Sequence, residues 1–333
     1  MPTALVTGGA GFIGSHLVDR LLDEGYAVRV IDNLAVGRYD NIRQHAHHPN
    51  FRFYEADIRT AGVLPGLLAG VDHVYHLAAL ADIVPSIVAP ADYFSTNVSG
   101  TVNMLEAARA AGIQRFIYVA SSSCYGIPDV FPTPETAAIR PEYPYALTKN
   151  LGEQCVLHWG KVYGLPVAAV RFFNIYGPRA RTSGTYGAVF GVFLSQLAHS
   201  QPLTIVGDGS QTRDFTFVSD AVDALRVVAD SGVVNEVFNV GSGGTYSVNE
   251  LADMLGGPSI YIPKRPGEPD CTFADISKIS RQLGWRPKMS FRDGVDIMKK
   301  QVEAWRGAPV WTKETIETAT KDWFDYLSPH TKP

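Results

Sequence analysis

Thr7-Gly8-Gly9-Ala10-Gly11-Phe12-Ile13-Gly14 is the stretch on which the reading of the whole chain turns. It follows an apolar run at Ala4–Val6 and opens an amphipathic pattern over Ser15–Glu24. Two glycine spacings overlap in it: Gly9/Gly11/Gly14 gives G-x-G-x-x-G, and Gly8/Gly11/Gly14 gives G-x-x-G-x-x-G. Glycines at these places allow a tight turn and a close approach of backbone to a pyrophosphate. The helix that follows then presents free N–H groups and the positive end of its dipole to that anion. A glycine-rich turn alone is a weak signal, but here it lies between a strand and a helix, as the motif requires.

Outward from this turn the chain keeps alternating. Ala4–Val6, Val28–Ile31, Phe51–Glu55, His73–His76, Phe116–Ala120 and Ala168–Arg171 read as strands. Ser15–Glu24, Thr96–Ala111 and Tyr145–Tyr163 carry apolar residues at three- and four-residue steps and read as helices. Strand–helix alternation with right-handed crossovers predicts an α/β protein with a Rossmann-type, doubly wound parallel sheet. After Asn174 glycine and arginine become frequent and turn signals cluster at Gly177-Pro178, Gly207-Asp208-Gly209 and Gly243-Gly244. The expected organisation is a cofactor-binding domain over 1–173, with a segment near 235–245 returning to its sheet through Val237–Val240. A smaller, discontinuous mixed α/β substrate lobe is expected over 174–306, then a helical tail over 307–333. In the tail, Thr312 suits an N-cap, Trp311 and Ile316 a hydrophobic staple, and Ile316, Ala319, Trp323, Phe324 and Leu327 one helix face. That face predicts docking on the chain's own core, with contact to a second subunit as the alternative.

The composition restricts the function classes. Of 333 residues 46% are hydrophobic and 19% charged, which argues for a globular core and against disorder. A formal net charge of −4 argues against a nucleic-acid binder. Cys124, Cys155 and Cys271 are odd in number and far apart, which fits neither a disulfide framework nor a metal site. The opening MPTALVTGGAGFIG has no basic region before an apolar one, and no run approaches a membrane span. A cytoplasmic protein is expected, with no metal and no membrane or nucleic-acid partner. His45, His47 and His48 cluster in a polar loop without the carboxylate or Cys spacing of a metal site, and His73 and His76 read as structural.

The cofactor set follows from strand ends. Asp32 closes the second strand, 18 positions after Gly14. A carboxylate there accepts both ribose hydroxyls of an adenosine and repels a 2′-phosphate, which favours NAD over NADP; Arg29 and Arg38 lie near in sequence. Asn33 is its neighbour. Asp57-Ile58 suits an adenine contact, and Leu77-Ala78-Ala79 lets the backbone pass close to a cofactor. Phe12, Ile13 and Asn97 complete the expected set.

The chemical set centres on Tyr145-Ala146-Leu147-Thr148-Lys149. Their i,i+4 spacing puts Tyr145 and Lys149 on one helix face. A free tyrosine has a pKa of about 10, and a nearby ammonium together with the positive nicotinamide ring is expected to lower it toward a usable base. Ser121-Ser122-Ser123 ends the fifth strand, where a hydroxyl can bond the reacting group. A packing role is expected for Cys124.

TGGAGFIG, Asp32, SSSCYG, YALTK, FFNIYGPR, RDFTFV and RPGE, in this order, resemble the extended short-chain dehydrogenase/reductase family. Within it the chain looks most like the UDP-galactose and UDP-N-acetylhexosamine 4-epimerases, from Ala4 to about Trp305. The resemblance implies a tightly bound NAD and a nucleotide-sugar substrate, UDP-linked. It implies that Tyr145 removes the sugar 4-hydroxyl proton while NAD takes hydride from C4, and that the 4-keto sugar turns before hydride returns. It also implies substrate contacts at Asn174, at the backbone of Val189-Phe190, and at Thr204-Ile205-Val206 beside the nucleobase. Arg213 and Arg265 would neutralise the diphosphate, and Glu268 would accept a ribose hydroxyl. Thr272 falls where the family gates the C2 substituent, and its small side chain would admit an N-acetyl group. Arg179 and Arg181 suit a surface role, or a uronic acid carboxylate if UDP-glucuronate is the substrate. A 4,6-dehydratase would need Asp-Glu at Ser122-Ser123, and a uronate decarboxylase the same Glu. A net reductase would release its cofactor, and a mere NAD sensor would not need Tyr145, Lys149 and Ser121. By similarity the helices near Thr101–Ala111 and Tyr145–His158 would pair two copies into a homodimer.

Overall fold

The computed structural model describes residues 1–180 and 188–328. Seven strands form the main sheet: β1 Thr3–Thr7, β2 Ala27–Asp32, β3 Phe51–Glu55, β4 His73–His76, β5 Arg115–Ser121, β6 Val167–Phe172 and β7 Glu236–Val240. Their order is β7-β6-β5-β4-β1-β2-β3 and every pairing is parallel. All six strand-like runs of the first half fall inside these strands, and Val237–Val240 does return to the sheet, beside β6. The order reverses between β1 and β4, so a crevice opens beyond their carboxyl ends, where such sheets bind ligands.

Alternation builds three layers. Along β1, Ala4 and Val6 face one apolar cluster and Leu5 the other. The first cluster packs Leu17, Val18 and Leu21 of the Phe12–Asp23 helix and Leu225 and Val228 of the Val218–Asp230 helix on the sheet. The second packs Leu64, Leu68, Met104, Leu105 and Val156 on the opposite face. Burial on both faces explains why these strands read as continuous Val/Ile-rich runs. The helix predicted over Thr96–Ala111 is regular only over Gly100–Ala111. Phe94–Ser99 is a wider π-helical turn, which places Asn97 in the interior.

The smaller lobe is built from short pairs: Leu203–Val206 with Ser259–Ile262, Thr212–Arg213 with Tyr246–Ser247, and Ile175–Tyr176 with Thr216–Phe217. Its core is aromatic, with Tyr176 stacked on Phe190 at 4.3 Å and Phe215 on Phe291 at 5.2 Å. No described helix is long and apolar enough to cross a membrane.

The tail is two short helices, Lys313–Ala319 and Lys321–Leu327, not one. Thr312 caps the first, and Trp311 and Ile316 pack with Val206 and Ile262. The break falls at Thr320, which leaves helical geometry at φ −103°, ψ 4°; its N–H keeps the Ile316 carbonyl at 2.9 Å and its buried hydroxyl donates to the same oxygen at 2.8 Å. Trp323 is buried while Phe324 is only half-buried, so the tail docks on its own chain.

Candidate active site

The glycine turn is packed closely against its own backbone and the end of β4. Gly8 has φ +70°, and a Cβ there would lie 2.8 Å from the Ala78 nitrogen. At Gly14 a Cβ would lie 2.2 Å from the Gly8 carbonyl oxygen. Gly11 is the N-cap of the Phe12–Asp23 helix and supplies no side-chain acceptor, so the first N–H groups, through Phe12 and Ile13, are offered outward. Asp32 is buried. Its carboxylate accepts Ala10 N–H at 3.0 Å and Leu34 N–H at 2.9 Å, and burial raises its pKa against these two bonds. Each oxygen keeps a lone pair for a ribose hydroxyl. These residues fit a dinucleotide, which the turn and Asp32 would hold.

Further along the same edge, Asn33 donates to Asp57 at 2.9 Å. Arg59 also binds Asp57 and holds its carboxyl down at about 2, so the residue stays ionised. Ile58 packs under Gly100, where a Cβ would meet it at 2.7 Å. Leu77 N–H donates to Thr7 O at 3.2 Å and Ala78 N–H to Thr7 Oγ1 at 3.2 Å, continuing β4 toward Ala79. His76 fixes this corner. Thr101 gives its one hydroxyl proton to Asn97 O at 2.7 Å, so His76 Nε2–H must donate to Thr101 at 3.0 Å. Nδ1 therefore accepts from Thr7 at 2.7 Å, and burial lowers the imidazole to about 3, keeping it neutral. Asn97 spends its side chain on Leu80 N–H, Leu80 O and Thr148 Oγ1, at 2.9, 3.0 and 3.0 Å. It ties the loop after β4 to the helix that carries Tyr145 and Lys149.

That helix, Pro144–Tyr163, starts beside the end of β5. Tyr145 hydrogen-bonds Ser121, and Ser121 Oγ lies 2.8 Å from Ser123 Oγ. Ser121, Ser122 and Ser123 thus sit at the mouth of the turn, with Cys124 and Tyr125 buried behind. Lys149 is buried with its Nζ 4.4 Å from the Tyr118 ring centre; burial lowers it to about 7 against the Glu153 carboxylate. The expected lowering of Tyr145 by this ammonium is not what the protein's own groups produce. Burial raises Tyr145, the Ser121 bond opposes, and the Asp82 carboxylate and Cys124 raise it further. Asp82 had no place in the sequence reading; only its nearness to the phenol reveals it.

The substrate end converges from three segments. Arg213 donates to Glu268 at 2.8 Å, and Arg265 lies 3.7 Å from the other Glu268 oxygen. Thr272 donates to Asn174 Oδ1 at 2.7 Å, and Asn174 holds φ +30° at the end of β6. Val189 begins the Val189–Ala198 helix, which lacks a side-chain cap, and Phe190 anchors it in the aromatic core. Thr204 is bound by Gln196 in both directions, at 2.8 and 3.1 Å, and Val206 packs under Ile316. Tyr143 bridges the two ends: its ring stacks 6.4 Å from Tyr145, and the Glu268 and Arg213 charges both act on it. Arg179 is paired with Asp19 at 2.7 Å, on the outer side of the first helix, and His45 holds the same carboxylate at 2.6 Å. Arg181 lies outside the described residues.

The family model of the NAD dependent epimerase/dehydratase family matches residues 4–241. The chain belongs to that family. It is 37% identical over 311 residues to the UDP-glucose 4-epimerase of Mycolicibacterium smegmatis, covering 91% of this chain and 98% of that one. It is 38% identical over 307 residues to UDP-glucuronic acid decarboxylase 2 of Arabidopsis thaliana, covering 89% and 67%. The UDP-glucuronic acid 4-epimerase of Bacillus cereus, solved with UDP-glucuronic acid and NAD, is similar with a TM-score of 0.84 and 33% identity, covering 91% and 99%.

Behind the epimerase/dehydratase site lies a buried polar layer that sequence reasoning missed. Glu153, two turns after Tyr145, takes Arg171 Nε at 2.8 Å and a second guanidinium nitrogen at 2.5 Å. Arg171 also donates to the Tyr125 hydroxyl at 2.7 Å, and Tyr125 donates to Asn239 at 2.8 Å. The chain of bonds joins the catalytic helix, β6, the serine turn and β7. A carboxylate on a predicted helix and an arginine in a predicted strand were visible; their pairing across 18 positions was not.

Proposed function

We propose that this chain catalyses the reversible 4-epimerisation of a nucleoside-diphosphate hexose, UDP-linked, with NAD retained in the cleft. The observation that carries the reading is the sugar end of the site. Tyr145 is bonded to Ser121, and its neighbours at Ser122 and Ser123 are hydroxyls rather than the acids that elimination or decarboxylation needs.

Each residue then has a task. Tyr145 takes the proton of the sugar 4-hydroxyl and later gives it back, passing through the phenolate. Ser121 bonds that phenolate and positions the reacting hydroxyl. NAD, when bound, supplies the hydride acceptor and then the donor, and its charged ring favours the phenolate. Lys149 would hold the cofactor's ribose from beneath, and Asp32 its adenosine end. Arg213 and Arg265 would grip the diphosphate by their planar donor forks. Glu268 keeps both arginines aimed and is available to a ribose hydroxyl. With the diphosphate as the fixed point, the hexose can present either face to Tyr145.

Two observations favour a neutral hexose over a uronic acid. Arg179 is committed to Asp19, and the carboxylate of Asp82 acts on Tyr145, where a second carboxylate would be repelled. Thr272 leaves room for an N-acetyl group. Three free thiols suit a reducing cytoplasm, and the Gly100–Ala111 and Pro144–Tyr163 helices, with Val162 and Tyr163 exposed, suit a homodimer.

The test is to incubate the protein, without added cofactor, with UDP-, dTDP- and GDP-sugars, including N-acetyl and uronic acid forms. Mass spectrometry and proton NMR follow the products. A product of unchanged mass with altered C4 coupling is expected. Loss of water or carbon dioxide would overturn the proposal.

A further inference from the structure

The tail beyond Trp305 lies outside the motif resemblance, yet it reaches the site from above. Trp323 is buried although it stands on a seven-residue helix next to the end of the described chain. Its indole N–H donates to Pro266 O at 2.7 Å, inside the loop that carries Arg265 and Glu268. Its ring centre lies 5.4 Å from the Arg265 guanidinium carbon and 6.4 Å from the Tyr143 ring. Tyr143 in turn lies parallel to Tyr145, with 10° between the ring planes. The same helix packs against Ile83–Val88, next to Asp82 on the cofactor side. One short segment therefore touches the diphosphate loop, the start of the catalytic helix and the loop after β4.

We propose that the Lys321–Leu327 helix is a strap across the nucleoside-diphosphate site, and that Trp323 is the positioning residue that holds Arg265 in its diphosphate-binding orientation. The chemistry suits the task. An aromatic face against a guanidinium satisfies the cation from one side and leaves its edge N–H groups for a phosphate. The Pro266 bond fixes the indole to the arginine's own loop, so strap and loop move together. Tyr143 carries the same contact to the catalytic phenol. The strap raises the affinity for the nucleotide part of the substrate and slows its escape while the sugar turns.

This inference rests on reading the site as one for a nucleoside diphosphate, and binding of UDP, dTDP and GDP by calorimetry separates the two. Trp323→Ala is expected to weaken UDP binding about tenfold, the size of a partly desolvated cation–π contact. KM for the nucleotide sugar rises with it, kcat changes far less, and the NAD content is unchanged. Trp323→Phe keeps the ring face and recovers most of the affinity. The double variant Trp323→Ala/Arg265→Ala binds UDP no more weakly than Arg265→Ala alone. If Trp323→Ala does not fold, Trp323→Leu keeps the apolar volume and takes its place. Unchanged UDP affinity in the folded variant overturns the strap and leaves the functional reading standing. So does a loss that Phe fails to rescue and that adds to the loss from Arg265→Ala, for then the tail serves packing alone. A wild-type protein that binds none of the three nucleotides overturns both.

Discussion

Removing the Glu153 carboxylate puts the buried layer behind the site to a quantitative test. Both partners of the Glu153–Arg171 pair are almost wholly buried, at 4% and 7% side-chain exposure. Two bonds join them, and Arg171 further binds Tyr125 and the Glu135 carbonyl. Glu153→Ala leaves a guanidinium with no compensating charge in a low-dielectric interior, which costs about 3–5 kcal/mol. At roughly 2 °C per kcal/mol for a chain of this size, the melting temperature falls by about 6–10 °C. Glu153→Gln keeps some hydrogen bonding and lies between. In Glu153→Met/Arg171→Met both charges leave together, so the double variant is expected to be more stable than either single one. Melting is followed by calorimetry with NAD content held equal, because a bound ligand shifts the transition.

The same change should reach the chemistry. Arg171 and Asn239 fix Tyr125, which follows the serine turn, so turnover by Glu153→Ala falls at equal NAD content. Glu153 also supports the charge on Lys149, whose ammonium burial has brought to about 7. Without that carboxylate Lys149 loses its proton at lower pH, and the alkaline fall of activity moves to lower pH. A Glu153→Ala cost below about 1 kcal/mol, or single costs that simply add in the double variant, would refute the argument.

Gly8→Ala forces a Cβ to within 2.8 Å of the Ala78 nitrogen at a φ of +70°, so the protein should purify without NAD, as measured on the denatured extract. Asp32→Ala removes the carboxylate that repels a 2′-phosphate; NADP affinity should rise while NAD affinity falls, and NAD binding that stays equal would refute the ribose role. Asp82→Asn removes a charge that raises Tyr145, so the phenolate persists to lower pH and the acid-side loss of turnover shifts downward. An acid limb that stays put or moves upward would show that Asp82 does not act on Tyr145.

The strands, the glycine turn and the Tyr145–Lys149 face were legible because each is a local pattern, set by period two, period 3.6 or a backbone conformation. What stayed hidden is pairwise and distant. The tautomer of His76 follows from a hydroxyl on Thr101 that already serves Asn97, a fact about proton counts across three segments, and its neutrality from burial. Asn97 was placed with the cofactor by its position; that the π-helical turn directs its amide to Leu80 and Thr148 was not legible. The tail shows the limit from the other side. Thr312 announced its cap, yet the single helix expected after it breaks at Thr320, whose N–H and hydroxyl both serve the Ile316 carbonyl. The balance at Tyr145 was hidden for a related reason: i,i+4 spacing fixes the face, whereas among the protein's own groups burial sets the sign of the shift.

Overall likeness cannot choose the reaction here. The chain is 37% identical to a UDP-glucose 4-epimerase and 38% identical to a UDP-glucuronic acid decarboxylase. Oxidation at C4 needs only a base at Tyr145 and a hydride acceptor, and both classes of relative share the fold that arranges these. The reactions part after that step. Elimination must take the C5 proton and give a proton to the departing C6 oxygen, and decarboxylation must return a proton to C5 after carbon dioxide leaves; a hydroxyl of ordinary acidity is a poor base and a poor acid for these transfers. Ser123 Oγ lies 2.8 Å from Ser121 Oγ, a pairing that in the proposed reaction would serve the oxidation at C4. On the proposed reading, the absence of an acid at Ser122 and Ser123 makes return of hydride to C4 the favoured exit of a neutral 4-keto hexose. Which face receives it depends, on the proposed reading, on how freely the hexose turns between a fixed diphosphate and Tyr145, so a grip on that diphosphate by Arg213 and Arg265 would govern the outcome.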